Sequence, residues 1–401
     1  MVNANLQTTK PHILLLASFF PTPNRPSIGI FFQQQAQALQ RAGYQVGVLV
    51  TPRIRASIEH TRRAGQLPNL RTATFEEYAG LPVYRLHWGW FPRIFPEVCA
   101  WLIKSAGWPA FERYVAEQGR PDIIHGHNIF YSGYLATHLG RAYSIPAVVT
   151  EHSSNFLRGR IFLPGQHRIA REVLQNSDHF FTVSAALADK LQRYTPNQQI
   201  EILGNVVDLS LMTLPLTSSS DGYFTFAAVA QLKERLKRFD LLLDAFAHAF
   251  SGHQQVRLKI GGDGPLRFQL ERQVEALGLQ EQVEFLGELD RNGVRDLFQN
   301  AQVIVSSSEV ETFGITLIEA MACGKPVVAT KSGGPQDFVT YESGLLVPVN
   351  DVEALTATLI QIRDNYHSYD PSHIRDSCIE RFSEQAIVSR LNVVYNRLID
   401  R

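Results

Sequence analysis

The sequence has few cysteines and no long hydrophobic run. The three cysteines, Cys99, Cys323 and Cys378, are widely separated and form no CxxC pair. Their number and spacing argue against a disulfide framework and against a zinc site, and they favour a reducing cytoplasm. The first apolar run, HILLLASFF, lacks a signal-peptide cleavage pattern, and no run approaches the roughly 20 residues that a membrane span requires. We therefore expect a cytoplasmic protein without a transmembrane segment, either soluble or attached peripherally to the inner face of a membrane.

The chain also has no excess of charge of either sign. Lysine plus arginine and aspartate plus glutamate number 38 each among 401 residues. No overall field attracts nucleic acid, so we expect no nucleic-acid partner, and an anionic ligand has to be bound by a local site. The sequence contains no Asp-x-Asp, no HExxH and no full GxGxxG. We expect neither a metal site nor a bound cofactor.

Short apolar runs alternate with amphipathic segments along the whole chain. HILLLAS, QVGVLV and PDIIHGH belong to the first half, and YFTFAAVAQL, VRLKIGG and AQVIVSSS belong to the second. This alternation is typical of buried parallel strands between helices, and the length exceeds what one hydrophobic core usually serves. We predict an α/β chain with two doubly wound parallel sheets, joined by a Ser-rich linker at 208–222. The predicted domains are 1–210 and 211–380, followed by a terminal helix at 381–401 that packs across their join.

Two glutamates flank a Phe-Gly turn in SSSEVETFGITLIEAMACGKP. The pattern predicts a strand, a turn at its carboxyl end and a helix that ends at Gly324. Open parallel sheets bind ligands at this edge, where a helix N-terminus favours an anion. On one continuous helix, Glu311 and Glu319 would lie about 12 Å apart, whereas the paired carboxyls of glycosidases lie roughly 5 to 9 Å apart. We interpret the two glutamates as separate contacts on one ligand rather than as a hydrolytic pair.

This segment, together with the GKPVVAT and SGGP stretches that follow it, resembles the donor site of retaining glycosyltransferases of family 4. The resemblance is strongest over residues 280–350. It implies the GT-B fold, in which two Rossmann-like domains face each other across a cleft. It also implies that Glu311 contacts the transferred sugar and that Glu319 contacts the ribose of a nucleotide-sugar donor. Four residues of the turn and the helix start would also contact the donor: Phe313, Gly314, Ile315 and Thr316.

A basic loop follows the first strand of the second half, in VAQLKERLKRFD. Its positive charge can neutralise a diphosphate, which is the leaving group of a nucleotide-sugar. In the family an Arg and a Lys grip the diphosphate, and Lys237 matches that Lys. Gln231 stands at the Arg position, where we expect it to contact the donor through hydrogen bonds without supplying a charge. Arg238 replaces the Gly that follows the Lys, and efficient stabilisation of the leaving group requires that Arg235 or Arg238 reaches the diphosphate. The alternative interpretation is a solvated charged loop.

The first half contains three further matches to the family. Gly29 would let the backbone approach the donor phosphate, because glycine has no side chain and adopts positive φ freely. His125 and His127 end a predicted strand, and the resemblance favours His127 as the active-site histidine. Glu151 and His152 end the next strand on the same rim, and we expect them to contact the acceptor together with His127. The alternatives are a plain turn at Gly29 and buried structural histidines.

All four tryptophans fall within one segment, between residues 88 and 108. They are Trp88, Trp90, Trp101 and Trp108, and basic residues lie among them. Such a mixture suits a peripheral contact with a bilayer or the entrance for a lipid-linked acceptor. The alternative is a cleft-lining or core helix.

The resemblance implies a metal-independent enzyme that transfers a sugar, with retention of configuration, from a nucleotide-sugar to a hydroxyl acceptor. We expect a UDP- or GDP-linked donor, a saccharide or lipid-linked acceptor, and a part in polysaccharide, glycolipid or other glycoconjugate synthesis. The expected catalytic residues are Glu311, which orients the sugar, Lys237, which offsets charge on the departing diphosphate, and His127. Two alternatives stay open: a sugar phosphorylase of the same fold, and a non-catalytic subunit that binds nucleotide or sugar.

Overall fold

The computed structural model describes residues 10–51, 73–86, 95–215 and 222–401. The chain forms two compact units, each with its own sheet. The first unit contains the residues up to Val183, Ala188–Val206 and Ile387–Arg401. The second unit contains Ser184–Leu187 and Val207–Ala386. The predicted role of residues 381–401 at the join between domains stays a prediction.

Within the described residues, the first unit is built on an eight-stranded sheet. Its strands are β1 His12–Ala17, β2 Gln45–Val50, β3 Ala73–Tyr78, β4 Leu81–Leu86, β5 Ile123–His127, β6 Ala147–Glu151, β7 His179–Thr182 and β8 Glu201–Ile202. They lie in the order β3-β4-β2-β1-β5-β6-β7-β8, and only β3 and β4 pair antiparallel among the described strands. The chain winds outward in both directions from the β1–β5 pair, and ligands bind beside the carboxyl ends of strands at such a switch point.

Helices cover this sheet, and their apolar stripes form its core. They are α1 Ile30–Arg41, α2 Pro96–Gln118, α3 Tyr134–Tyr143, α4 Pro164–Asn176 and α5 Ala185–Gln192. In α1 the buried residues Phe32, Ala36 and Leu39 follow helical spacing and face the sheet. The final helix of the chain, which runs from Glu384 to Ile399, places the fully buried Leu391 in the same core.

The second unit repeats this architecture. Its strands are β9 Phe224–Val229, β10 Val256–Gly261, β11 Val283–Gly287, β12 Val303–Ser306, β13 Val327–Thr330 and β14 Gly344–Val347. Among the residues that the structure describes, they form a parallel six-stranded sheet in the order β11-β10-β9-β12-β13-β14, with the switch point between β9 and β12. The helices of the second unit are α6 Phe239–Phe250, α7 Arg267–Ala276, α8 Arg291–Asn300, α9 Ile315–Ala322, α10 Val352–Asp364 and α11 Pro371–Phe382. The final helix, Glu384–Ile399, is α12, and most of it belongs to the first unit.

Two doubly wound, Rossmann-like parallel sheets confirm the fold class predicted from the alternating pattern. The pattern was informative because the central strands are buried on both faces: all six residues of β1 and all five of β5 and of β6 are buried.

Part of the predicted linker, residues 216–221, lies outside the described residues. In the described part of the chain, no helix combines the length and the hydropathy that crossing a bilayer would require.

Candidate active site

Lys237 and Glu311 form an ion pair in the second unit. The Nζ of Lys237 donates to Oε2 of Glu311 at 2.6 Å, although the two residues are 74 positions apart in sequence. Lys237 ends a short 3₁₀ turn after β9, and Glu311 follows β12. Because β9 and β12 are neighbours at the switch point, their carboxyl ends bring both loops to one place. Both side chains remain partly exposed, at 34% for Lys237 and 20% for Glu311.

The other basic residues of the loop have partners of their own. Arg235 donates to the side chain of Gln269 at 3.3 Å. Arg238 pairs with Asp240 and also contacts Asn350. The backbone φ of Arg238 is 48°, in the left-handed region. Glycine adopts this region at little cost, and glycine is the residue that the family has at this position. Neither arginine is recorded in contact with the Lys237–Glu311 pair.

Gln231, which occupies the family's Arg position, is exposed on the surface of the second unit. Its Oε1 accepts a hydrogen bond from Lys233 at 3.3 Å. Both Gln231 and Arg235 contact other side chains of the second unit, and their predicted donor contacts stay predictions.

The turn that carries Glu311 is fixed by its backbone. The N–H of Glu311 donates to the carbonyl of Ser332, and the N–H of Gly334 donates back to the carbonyl of Glu311 at 2.8 Å. A Cβ on Gly334 would come within 2.4 Å of the backbone of Phe313, so only glycine allows this approach. Gly314, the residue after Phe313, has a φ of 105° and directly precedes the first residue of α9. The glycines of this region thus hold the Glu311 turn against the loop after β13.

The start of α9 offers backbone donors beside the ion pair. The N–H groups of Ile315 and Thr316 belong to the first helical turn and have no intrahelical acceptor, as at any helix start. Together with the helix dipole they favour an anion at this point. The side chain of Phe313 is 4% exposed and packs on the rings of Phe338 and Phe382, so a ligand can reach only its backbone.

Glu319 is buried in α9 and has a partner that the sequence did not indicate. Its Oε1 accepts from Nη1 of Arg291 at 3.3 Å, and the residue is only 6% exposed. The other terminal nitrogen of Arg291, Nη2, lies 3.7 Å from Oδ2 of Asp208. Burial raises the pKa of Glu319, and the guanidinium of Arg291 opposes that rise. One arginine therefore lies between two carboxylates.

In the first unit, the carboxyl ends of β5 and β6 bring two histidines together. The Nδ1 of His127 and the Nε2 of His152 are 3.1 Å apart. Burial lowers the pKa of His127 to about 3 and also lowers the pKa of His152 far below its usual range. Two neutral imidazoles can share only one proton across this contact.

The opposite nitrogens of the histidine pair, Nε2 of His127 and Nδ1 of His152, are buried without a hydrogen-bond partner. If His127 donates to His152, its own Nε2 carries a lone pair and Nδ1 of His152 carries a proton; the other tautomer reverses both roles. In either case the pair offers one donor and one acceptor to a ligand. Hydroxyl groups both donate and accept, so they fit this combination.

Two aromatic rings at the start of α1 pack against the histidine pair. The ring of Phe32 lies 4.8 Å from that of His127, and the ring of Phe31 lies 5.2 Å from that of His152, measured between centroids. Gly29 precedes these residues with a φ of 78°, and a Cβ there would come within 2.8 Å of the carbonyl oxygen of Phe19. The positive φ and the nearby backbone of Phe19 both favour glycine at this position. The predicted approach of Gly29 to the donor phosphate stays a prediction.

Glu151 is fully buried and binds backbone groups. Its carboxylate accepts from the N–H groups of Ile129 at 2.6 Å, His152 at 3.0 Å and Ser153 at 2.6 Å. Burial raises the pKa of Glu151 to about 7, and the three N–H donors oppose that rise. Glu151 therefore ties the loops after β5 and β6 together, and its predicted contact with an acceptor stays a prediction.

His125 has both ring nitrogens occupied within the first unit. Its Nδ1 shares a hydrogen bond of 2.7 Å with the hydroxyl of Tyr395, and its Nε2 shares one of the same length with Thr150. Its ring stacks on that of His127, with centroids 4.5 Å apart. This geometry leaves no ring nitrogen of His125 for a ligand, and it matches the structural alternative stated above.

The tryptophans divide between described and undescribed residues. Trp88 and Trp90 lie outside the described residues. Trp101 and Trp108 both lie in α2, where Trp101 is 60% exposed. Trp108 is half-buried against the ring of Tyr143, and the Nζ of Lys104 lies 5.7 Å from its ring centre. In the described ranges, no group of three or more His, Cys, Asp or Glu side chains could hold a metal ion.

Two family models match this chain. Residues 28–206 match the "Glycosyl transferase 4-like domain", and residues 217–380 match "Glycosyl transferases group 1". The two matches span most of the chain and both sheets, which makes the protein a nucleotide-sugar glycosyltransferase. The chain belongs to the family 4 glycosyltransferases of GT-B fold.

Curated relatives include enzymes with different acceptors in their names. Over 397 residues the chain is 24% identical to a phosphatidylinositol N-acetylglucosaminyltransferase subunit of Arabidopsis thaliana, and the match covers 97% of this chain and 83% of the relative. Over 295 residues it is 27% identical to N-acetyl-alpha-D-glucosaminyl L-malate synthase of Bacillus anthracis, and this match covers 70% of this chain and 76% of the relative. These identities are low enough that acceptor choice does not transfer from either relative.

Solved structures share the fold over nearly the whole chain. Sucrose-phosphate synthase from Thermosynechococcus elongatus superposes with a TM-score of 0.76 at 23% identity, covering 98% of this chain and all of that one. HepE from Anabaena, solved with UDP and glucose, superposes with a TM-score of 0.71 at 18% identity, covering 96% of this chain and all of that one. Both support the GT-B fold predicted from the sequence.

Proposed function

We propose that this glycosyltransferase transfers a sugar with retention of configuration and without a metal ion, from a UDP- or GDP-linked donor to a saccharide or lipid-linked acceptor. The observation that carries the proposal is the Lys237–Glu311 pair, 2.6 Å apart at the carboxyl ends of neighbouring strands. An ammonium group has three donors, and Glu311 engages one of them. The other two can bind oxygens of a diphosphate.

The ion pair divides the reaction between two groups. The charge of Lys237 offsets the negative charge that develops on the diphosphate as the bond to the sugar breaks. The carboxylate of Glu311 is held in place by Lys237 and by its own backbone hydrogen bonds, so it can accept from a hydroxyl of the transferred sugar. The N–H groups at Gly314, Ile315 and Thr316 add fixed partial positive charge for the phosphate or sugar oxygens. In a retaining transfer, a diphosphate oxygen takes the acceptor's proton on the face of the sugar that the diphosphate leaves.

The acceptor would bind in the first unit. Nε2 of His127 and Nδ1 of His152 are buried, unpaired and opposite in hydrogen-bonding character, which suits an acceptor hydroxyl. Glu151 supports this site from below by holding the loops of both histidines. Gly29, which brings the start of α1 close to Phe19, would let backbone approach the donor phosphate.

The names of two relatives and one exposed side chain support the proposed class of acceptor. Names among the relatives include a phosphatidylinositol and an L-malate acceptor, so the family accommodates both lipid-linked and small hydroxyl compounds. Trp101 exposes 60% of its surface on α2, and an indole at the surface suits a membrane interface. We place the protein in glycoconjugate synthesis, in the cytoplasm and at the inner face of a membrane.

The proposal is tested by donor binding and product analysis. A thermal-shift screen of UDP-, GDP- and ADP-sugars identifies the donor, because a ligand that binds only the folded chain raises its melting temperature. With that donor and a panel of hydroxyl acceptors, we expect release of a nucleoside diphosphate, a product of the donor's anomeric configuration, and full activity in excess EDTA. Inversion of configuration or loss of activity in EDTA would contradict the corresponding part. Orthophosphate-dependent transfer would indicate a phosphorylase, and nucleotide binding without transfer would indicate a non-catalytic subunit.

A further inference from the structure

Three charged residues from separate parts of the second unit meet, and one of them, Glu319, is the predicted ribose contact. Asp208 lies in the turn that follows the entry of the chain into this unit, Arg291 is the first residue of α8, and Glu319 lies in α9. The guanidinium of Arg291 lies 3.3 Å from Oε1 of Glu319 and 3.7 Å from Oδ2 of Asp208.

Arg291 and Glu319 do not form an ordinary surface ion pair, because Glu319 is buried. The side chain of Glu319 is 8% exposed, whereas surface pairs are usually open to water on both sides and contribute little. Removing an ionised carboxylate from water is costly unless a charge or hydrogen bond compensates it. Arg291 is the only cation recorded in contact with Glu319 among the described residues, so it supplies that compensation.

The two carboxylates are not equivalent. Oδ1 of Asp208 accepts from the backbone N–H and the hydroxyl of Ser210, at 3.2 and 2.6 Å, and from the N–H of Leu211 at 3.2 Å. Asp208 is therefore fixed by its own turn. The Oε2 of Glu319 has no recorded partner within the described residues, while its Oε1 is engaged by Arg291. Nη2 of Arg291 is buried, and its 3.7 Å distance from Asp208 is too long for a hydrogen bond.

We infer that Arg291 is a positioning residue for nucleotide binding: anchored by Asp208, it holds Glu319 turned so that Oε2 faces the ribose hydroxyls of the donor. The inference rests on the proposed function and on the ribose contact that the family resemblance implies for Glu319. It adds that recognition of the ribose depends on a guanidinium that itself need not touch the nucleotide. A carboxylate with one oxygen engaged and the other available accepts hydroxyl donors in a single orientation.

The inference predicts a specific loss in an Arg291→Met variant. Calorimetric titration with UDP and with 3′-deoxy-UDP measures how much the 3′-hydroxyl of the ribose contributes to nucleotide affinity. If the wild-type chain binds GDP more tightly, GDP and 3′-deoxy-GDP are used instead. A hydrogen bond to a charged group makes a difference of roughly tenfold or more in affinity. We expect the wild-type chain to bind the 3′-deoxy nucleotide at least tenfold more weakly, and the Arg291→Met variant to bind the two nucleotides within about threefold of each other.

Arg295→Met is the matched control, because Arg295 lies one turn further along α8, has a similar exposure of 30% and pairs with Asp296 instead of Glu319. We expect it to keep the wild-type preference for the ribonucleotide. A double-mutant cycle adds a readout that general destabilisation would not give. If Arg291 acts through Glu319, the Arg291→Met/Glu319→Gln variant should bind the nucleotide no more weakly than Glu319→Gln alone.

The outcomes separate this inference from the proposed function. Failure of the wild-type chain to bind any nucleoside diphosphate would overturn both. Binding with a preserved preference for the ribonucleotide in Arg291→Met, or additive losses in the cycle, would overturn the positioning role alone. Should Arg291→Met not fold, as judged by circular dichroism, Asp208→Asn provides the second test: it retains Arg291 and should reduce the ribose preference in the same direction, and an unchanged preference would contradict the inference.

Discussion

The hydroxyl of Tyr395 lies 2.7 Å from Nδ1 of His125, which joins the last helix of the chain to the strand that carries His127. Both partners are fully buried, and burial lowers the pKa of His125 and raises that of Tyr395, so each is neutral. His125 in turn stacks on His127. The orientation of the histidine expected to be catalytic thus depends on a residue near the C-terminus.

Removing this hydroxyl should destabilise the first unit. In a Tyr395→Phe variant the buried Nδ1 of His125 loses its partner, which costs about 1 to 3 kcal/mol of unfolding free energy, measurable by urea denaturation. Tyr44→Phe is the matched control, because the hydroxyl of Tyr44 also contacts the same helix, at the side chain of Asn392, which is partly exposed rather than buried. Equal losses in the two variants would contradict a special role for the buried pair.

Lys237→Ala should lower turnover by roughly 10² or more, because the variant lacks the charge that faces the departing diphosphate. Steady-state kinetics with a saturating donor measures the change. Lys259→Ala serves as the control, since Lys259 is also a partly exposed lysine that pairs with a glutamate in the second unit, at 3.7 Å from Glu284. Unchanged kinetics in Lys237→Ala would remove Lys237 from the active site.

His127→Asn should make the stability of the fold less sensitive to acid. The folded pKa of His127 is about 3 and its ordinary value is 6.5, so protonation favours the unfolded chain as the pH falls below 6.5. By pH 4 this costs the wild-type fold about 3 kcal/mol, and the variant should lose stability less steeply over that range. If the stability of the variant falls with pH as steeply as that of the wild-type chain, His127 is not buried in its neutral form.

In activity assays we expect the His127→Asn variant to lower turnover tenfold or more while the nucleotide affinity stays unchanged.

Glu151→Gln should change the pH dependence in the opposite direction. The pKa of Glu151 rises from 4.5 to about 7 on burial, so its protonated form favours the fold and its contribution is lost as the pH rises through 7. Relative to the variant, the wild-type chain should gain about 2 to 3 kcal/mol of stability between pH 8 and pH 5. Chemical denaturation of both proteins at several pH values measures this difference. A difference that does not vary with pH would mean that the three N–H donors keep Glu151 ionised throughout.

Trp101→Ala should reduce binding to anionic liposomes at low salt, because this residue presents an indole to solvent on α2. Flotation through a density gradient measures the bound fraction, which we expect to fall several-fold. Phe268→Ala tests whether any exposed ring has this effect, since Phe268 is 71% exposed in the second unit. A wild-type protein that stays at the bottom of the gradient would refute the membrane contact.

The sequence predicted the two sheets because they depend on local patterns, and it pointed to Lys237 and Glu311, which the structure brings together. Apolar runs identify strands that are buried on both faces, and the order of strands brings Lys237 and Glu311 to one edge. Arg291, Asp208 and Tyr395 could not be found in this way. Their partners lie 28, 83 and 270 positions away, and no spacing rule connects a residue at the start of α8 with a turn before β9.

Side-chain orientation was the other limit of prediction. Trp101 and Trp108 are seven residues apart, a spacing that places two residues on one face of a helix. Trp101 is nevertheless exposed while Trp108 packs on Tyr143, because neighbouring elements cover only part of α2. The donor segment likewise predicted Phe313 near the ligand without showing that its ring belongs to an aromatic cluster. Packing partners from distant segments decide such orientations.

The place of the last helix has a consequence for how the protein is made. Ile387, Leu391 and Tyr395 complete the core of the first unit, although the entire second unit precedes them in the chain. A ribosome therefore synthesises all of the second unit before the first can close its core, and the second unit has its full sequence available earlier. The hydrogen bond between Tyr395 and His125 therefore cannot form until the whole second unit has been synthesised.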